Sequence, residues 1–282
     1  MWIWLAIGSA VLLGIYDIAK KHSLRCNSSL AVLLLATFFS TLFLSPWLSA
    51  GPLADHLRLL VKAVLVTVAW VAGMEGLKRL PITIATTIKA SRPVFVLLLS
   101  ILIFGERLNA WQWAGSIVAL VALYMLSVSS RKEGIRFSSN AGVAWMAVSV
   151  AAGVASALYD KHILKLMEPL FVQSWCNLYV TLLLGLTILV TWFRDKEHFQ
   201  KIRWDWNILL IAVFITGADA LYFFSLKDPD ALLSVISMIR RSSVLVTFVG
   251  GALFFKETNL RGKSVALAVL LAGMALIVFG TV

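Results

Sequence analysis

The chain has 282 residues, of which 60% are hydrophobic and only 14% charged. A soluble domain of this size needs far more charge on its surface, so a soluble globular fold is excluded. The formal charge of +11 does not point to nucleic acid, because most of it sits in short connections between apolar runs, where it mainly sets membrane orientation.

Apolar runs of 18 residues or more follow one another along the chain, each long enough to cross about 30 Å of hydrocarbon as a helix. Barrel strands would alternate apolar and polar residues, and these runs do not, so the fold class is all-α. The pattern predicts ten transmembrane helices, at roughly 2–22, 28–49, 58–79, 82–104, 109–128, 140–164, 170–193, 206–227, 230–254 and 261–281. The N-terminus lacks the basic stretch of a signal peptide and reads as the first span. Cys26 and Cys176 have no metal-ligand spacing, and His22, His56, His162 and His198 are scattered, so no metal or cofactor site is expected. No catalytic motif appears, which argues against an enzyme.

Basic loops 129–139 and 194–205 fall on one membrane side, and the positive-inside rule then puts both termini outside the cytoplasm. Trp2, Trp4, Trp47, Trp111, Trp113, Trp192, Trp204 and Trp206 lie near span ends and read as an interfacial belt. Gly115, Gly273 and Ala275 suit close helix packing, within the chain or at a dimer seam.

The halves resemble each other. Tyr16-Asp17 recurs as Tyr159-Asp160, and Phe104-Gly105-Glu106 at the end of span four recurs as Phe255-Lys256-Glu257 at the end of span nine. Pro81 and Pro229 open those two spans, in a first helical turn where a missing N–H costs nothing. Glu106 and Glu257 read as caps or interface anchors. The organisation expected is a first five-helix repeat over 1–130 and a second over 140–282. Five spans is an odd number, so the second repeat is inverted. Inverted repeats are the architecture of alternating-access carriers, with the substrate near the midplane between them.

Lys89 and Arg92 in span four, and Arg240 and Arg241 in span nine, lie deep in apolar surroundings. Each would cost about 2.5–3.5 kcal/mol at a helix centre facing lipid. Aligning Glu106 with Glu257 puts Lys89 opposite Arg240. Thr86 extends the face of Lys89 and Arg92, and Ser237 borders Arg240 and Arg241. Pro93 removes a hydrogen bond to the carbonyl of residue 89 and predicts a kink there. Asp17, Glu75, Asp160 and Asp219 are candidate ion-pair or proton-relay partners. With Lys20, Lys21 and Lys161 counted, cations exceed these acids, an excess suited to an anionic ligand.

The run Phe104-Gly105-Glu106-Arg107-Leu108 followed by Gly115, together with the ten-span repeat, resembles the EamA-type members of the drug/metabolite transporter superfamily. Thr86-Thr87-Ile88-Lys89-Ala90-Ser91-Arg92-Pro93-Val94-Phe95 is similar to the fourth span of the plastid phosphate translocators. Arg240-Arg241 before Ser242-Ser243-Val244-Leu245-Val246 is similar to their ninth. Lys20-Lys21 and Tyr222 also have counterparts there. The resemblance implies that Lys89, Arg240 and Arg241 hold the anionic group of the substrate, with Tyr222 nearby. The sequence departs from that pattern at Arg92, where an acid is usual, at Arg240, where Lys is usual, and at Trp70 and Gly73 in span three. An organic-anion site is therefore implied without triose phosphates as such.

The expectation is a secondary carrier of a phosphorylated or carboxylated metabolite, working by exchange as a monomer or homodimer in a bacterial inner membrane. An exporter of amino acids or amphipathic metabolites, with the cations paired to acids, is the alternative. A non-transporting accessory protein is a third.

Overall fold

Helix starts fall where a side chain or a proline can deal with orphan N–H groups. Ser28 Oγ accepts from Ala31 N at 3.3 Å to open the second helix, and Asp205 accepts from Asn207 N at 3.0 Å to open the eighth. The computed structural model describes residues 1–23, 27–79, 88–89, 92–128, 141–194, 205–243, 245–247 and 260–280. Its helices are α1 (Trp2–Ser23), α2 (Ser29–Phe43), α3 (Leu53–Arg79), α4 (Arg92–Phe104), α5 (Ala110–Val128), α6 (Ala141–Ile163), α7 (Pro169–Arg194), α8 (Trp206–Lys227), α9 (Leu233–Arg241) and α10 (Leu260–Phe279).

The described chain is all helix and connection, and α1, α3, α6, α7 and α8 contain stretches long and apolar enough to cross a membrane. Large apolar side chains such as Leu98, Leu102, Leu182, Leu186 and Leu271 are more than half exposed on these helices and their neighbours, as a lipid-facing surface requires. This is a polytopic all-α membrane protein. Three expectations are corrected. The second span does not run to 49: α2 ends at Phe43 and the chain turns through a 3-10 segment at Ser45–Trp47, because Pro46 disfavours a helical residue before it. The third helix begins at Leu53 rather than 58. Trp2 is buried in the core, whereas Trp4, Trp47, Trp111 and Trp206 are exposed as a belt requires. Trp204, the kink expected before Pro93, and Glu257 lie outside the described residues.

The helices pair across the chain. α1 packs along α8, α3 along α6, and α5 along α10, while α2 meets α7 and α4 meets α9. Exchanging every helix with the one five places away leaves this pattern unchanged. Small residues let the backbones approach. Ser9 Oγ donates to Ala218 O at 2.7 Å between α1 and α8, and Ser149 Oγ donates to Ala69 O at 2.6 Å between α6 and α3. Gly115 and Gly273 meet backbone to backbone between α5 and α10. A Cβ on Gly115 would lie 2.6 Å from Gly273 O. The glycines therefore serve internal packing, while Ala275 is exposed.

The turn after α4 carries Gly105 at φ 62°, in the left-handed region. That reversal aims Glu106 at the start of α9. Its carboxylate accepts from Leu233 N at 2.7 Å, from Ser234 N at 3.2 Å and from the Ser234 hydroxyl at 2.5 Å. Lys161, at the end of α6, donates to it at 2.7 Å. Burial alone would raise the Glu106 carboxyl. The hydrogen bonds from Lys161 and Ser234, the Lys161 charge and the Leu233 N–H instead hold it below the ordinary carboxylate value. Glu106 is thus a cap, as expected, but of α9 rather than of its own helix.

Candidate functional site

α9 ends at Arg241, inside the span expected over 230–254. Its last turn holds Arg240 and Arg241, and Ser242 then interrupts it, its N–H and Oγ both turned back onto Ile239 O. Two cations at a helix C-terminus are favoured by the exposed carbonyls there. They open onto a cavity of about 330 Å³ walled by α1, α3, α4, α6, α7, α8 and α9. That is the size range of pockets for small metabolites.

The cavity wall carries two ion pairs. Lys62 Nζ on α3 lies 2.5 Å from Asp160 Oδ1 on α6, and it donates to Ser156 Oγ at 2.7 Å. Tyr222 on α8 donates from its hydroxyl to Asp160 Oδ2 at 3.3 Å. Arg240 Nη2 donates to Asp219 Oδ1 at 2.8 Å, and the guanidinium lies 4.1 Å from the Tyr222 ring centroid, a cation–π contact. Tyr222 therefore joins the pairs, its hydroxyl on one and its ring on the other.

The remaining cations are less committed. Arg92 Nη2 donates to Gly153 O at 2.5 Å. Gly153 permits this approach, since a Cβ there would lie 2.9 Å from Arg92 Cζ. Arg241 lines the cavity and has no hydrogen bond or ion pair among the described residues. Asp17 lines it too, within electrostatic reach of Lys20, Arg241 and Lys89. Lys20 sits 5.3 Å from the Tyr16 ring.

The structure thus gathers Arg92, Arg240, Arg241, Tyr222, Ser237, Asp17, Asp160 and Asp219 on one cavity. Lys89 does not line it. Its ammonium turns into the space left by Gly73, where a Cβ would lie 3.4 Å away. Glu75 pairs with Arg79 at 3.2 Å along α3, away from the cavity. Thr86 and the side chain of Lys21 lie outside the described residues.

Sequence reasoning missed Lys62, Gln173 and Asn177. A span that starts at 58 puts Lys62 close to its end. With α3 beginning at Leu53, Lys62 sits nine residues in, about 13 Å along the axis. Its signal was a lone cation in the run Leu59-Leu60-Val61-Lys62-Ala63-Val64-Leu65. Gln173 Nε2 donates to Thr216 O at 2.8 Å and Asn177 Nδ2 to Ser40 Oγ at 2.8 Å, tying α7 to α8 and α2 beside the cavity. Uncharged amides in an apolar run give no comparable signal.

A polytopic helical bundle around a charged cavity is an architecture suited to a membrane transporter. The chain belongs to the EamA-like transporter family, whose model matches residues 1–128 and again 140–279. It is 23% identical over 273 residues to an uncharacterized transporter of Archaeoglobus fulgidus, with 90% of each chain covered. A solved crystal structure with 13% identity superposes with a TM-score of 0.78 over 98% of each chain, a likeness that bears on the fold alone.

Proposed function

We propose that this transporter carries a small organic anion, a phosphorylated or carboxylated metabolite, by alternating access between two inverted five-helix repeats over 1–130 and 140–282. The doubled family match and the helix pairing that survives exchange of the halves support the repeats.

One observation carries the substrate class. Lys62 and Arg240 consume Asp160 and Asp219, which leaves Arg92 and Arg241, with Lys89 and Lys20 in electrostatic reach of the same cluster, and Asp17 as the one further acid on the cavity among the described residues. Uncompensated cations in a low-dielectric cavity repel each other, and an anion relieves that repulsion. Arginine forks suit carboxylate and phosphate groups bidentately. Because the empty cavity keeps the surplus charge, occupied states cross more readily than empty ones, which favours exchange. The positive-inside distribution of loop charge supports both termini outside the cytoplasm of a bacterial inner membrane.

The test is thermal unfolding of the purified protein against inorganic phosphate, sugar phosphates, dicarboxylates, nucleotide sugars and amino acids. A ligand at about 100 times its Kd adds about 2.7 kcal/mol to the native state. An upward shift with one anionic class, lost in Arg241→Ala, is expected. Silence from every anion with a shift from zwitterions would favour an exporter of amino acids instead.

A further inference from the structure

α7 gives one stripe of side chains to the cavity. Gln173, Cys176, Asn177 and Val180 follow one another at the spacing of a single helix face. Both amides of that stripe are anchored through their N–H groups. Gln173 Nε2 donates to Thr216 O at 2.8 Å, and Asn177 Nδ2 donates to Ser40 Oγ at 2.8 Å. Thr216 O can only accept, which fixes the orientation of the Gln173 amide and leaves its carbonyl oxygen over. That oxygen is buried, on a residue 2% exposed, and has no hydrogen-bond partner among the described residues.

Two other buried side-chain polar atoms on cavity residues lack a hydrogen bond: Arg240 Nε, and Asp160 Oδ1, which the Lys62 ion pair neutralises. The wall formed by α4 and α9, which pack on each other, thus has a spare donor, and the α7 wall has a spare acceptor. Buried polar groups are nearly always paired, so an orphan at a cavity wall marks a place that a ligand can complete.

An anionic group cannot complete the Gln173 carbonyl, because it brings lone pairs and no proton. A hydroxyl can. An ammonium could donate as well, but it would add positive charge where Lys62, Arg92, Arg240 and Arg241 already outnumber Asp17, Asp160 and Asp219. A purely hydrocarbon body would leave the oxygen stranded. Val66, Trp70 and Ile215 supply apolar surface for the carbons between the two ends.

Resting on the anion-carrier reading, we propose that Gln173 is a specificity-determining residue whose carbonyl accepts a hydrogen bond from a hydroxyl on the body of the substrate. The cavity then takes hydroxylated anions, hydroxy-carboxylates or polyol phosphates, ahead of their deoxy counterparts. The anionic group lies on the arginines of α4 and α9, and the hydroxyl lies on α7.

The test uses matched probes on the purified full-length protein, with affinities measured by calorimetry. Malate, succinate and aspartate carry a hydroxyl, a hydrogen and an ammonium at the same carbon. Glycerol 3-phosphate is set against propyl phosphate, which has no hydroxyl on its carbons. In the series whose anionic group binds, the hydroxylated member should be about five- to a hundredfold tighter than the deoxy one. Aspartate should be weaker than malate. Gln173→Met, of similar volume, should bring the hydroxyl-to-deoxy ratio within about twofold of one. The readout is a ratio, so a general loosening of α7 against α8 lowers both members and does not move it. Equal affinities within both wild-type pairs, an unchanged ratio in Gln173→Met, or aspartate tighter than malate overturns the assignment. If Gln173→Met fails to fold, Gln173→Asn, which sets the carbonyl back by one methylene, should lose most of the preference, and a full preference there overturns it. Anions that bind without regard to the hydroxyl sink this inference alone. If no member of either series binds, the anion-carrier reading falls and takes this inference with it.

Discussion

Lys62 and Asp160 meet at 2.5 Å across the boundary between the halves of the chain, with side chains only 5% and 4% exposed. Neither could sit in the apolar wall alone. Removing one partner of a buried pair costs about 3–5 kcal/mol, because the other charge is stranded. Lys62→Met is therefore expected to lower the unfolding temperature sharply, and Lys62→Met with Asp160→Asn to recover most of the loss. A double variant no more stable than the single one would show that the pair is not the tie.

Glu106 gives a prediction in pH. Its folded carboxyl titrates below the ordinary value, so its contribution is complete above the unfolded range of about pH 4–5 and fades as pH falls through the lower folded value. Glu106→Gln keeps an acceptor but loses the charge that Lys161 and the α9 N–H groups bind. A loss of about 1–3 kcal/mol is expected at neutral pH. The gap to the wild type should close on acidification, as unfolding midpoints measured down the pH scale will show.

Gly153→Ala should separate binding from stability. The new methyl would lie 2.9 Å from Arg92 Cζ, at the free end of a long side chain that can move aside. The expected result is a several-fold weaker anion affinity with a change in unfolding free energy below about 1 kcal/mol. Unchanged affinity would remove Arg92 from the site.

Gly115→Ala is the contrasting case. Its methyl would meet Gly273 O at 2.6 Å and Ile277 N at 2.8 Å, both backbone atoms. Overpacking of about 1–3 kcal/mol is expected, read as a lower unfolding temperature. Anion affinity in the folded fraction should be unchanged, because α5 and α10 do not wall the cavity.

Helix number and membrane character were legible because long apolar runs leave few alternatives. Ends were less so: Pro46 stops α2 six residues short of the predicted 49, and an amphipathic first turn hid the start of α3. At the site, Arg92, Arg240, Arg241 and Asp160 were readable as charges in costly places, and Tyr222 through the family resemblance. Which acid pairs with which cation was not. Arg240 and Asp219 lie on different helices, and Lys62 and Asp160 lie in different halves of the chain, distances over which periodicity carries no information. Lys89 matched Arg240 in alignment, yet turns toward Gly73, which stands where the other half has Tyr222 if Leu77-Lys78 is matched to Leu226-Lys227. Gly73 offers no ring of the kind that Tyr222 offers Arg240.

The partnering of α1 with α8 and α3 with α6 has a consequence for biosynthesis. When the first half has emerged from the ribosome, the surfaces that will cover α1 and α3 have not yet been translated. Lys62 enters the bilayer before Asp160 exists to neutralise it. The early helices must therefore wait, held by the insertion machinery or by one another, until the later ones arrive. A truncated N-terminal half expressed alone should be cleared by quality-control proteases, and co-expression of the missing half should rescue it.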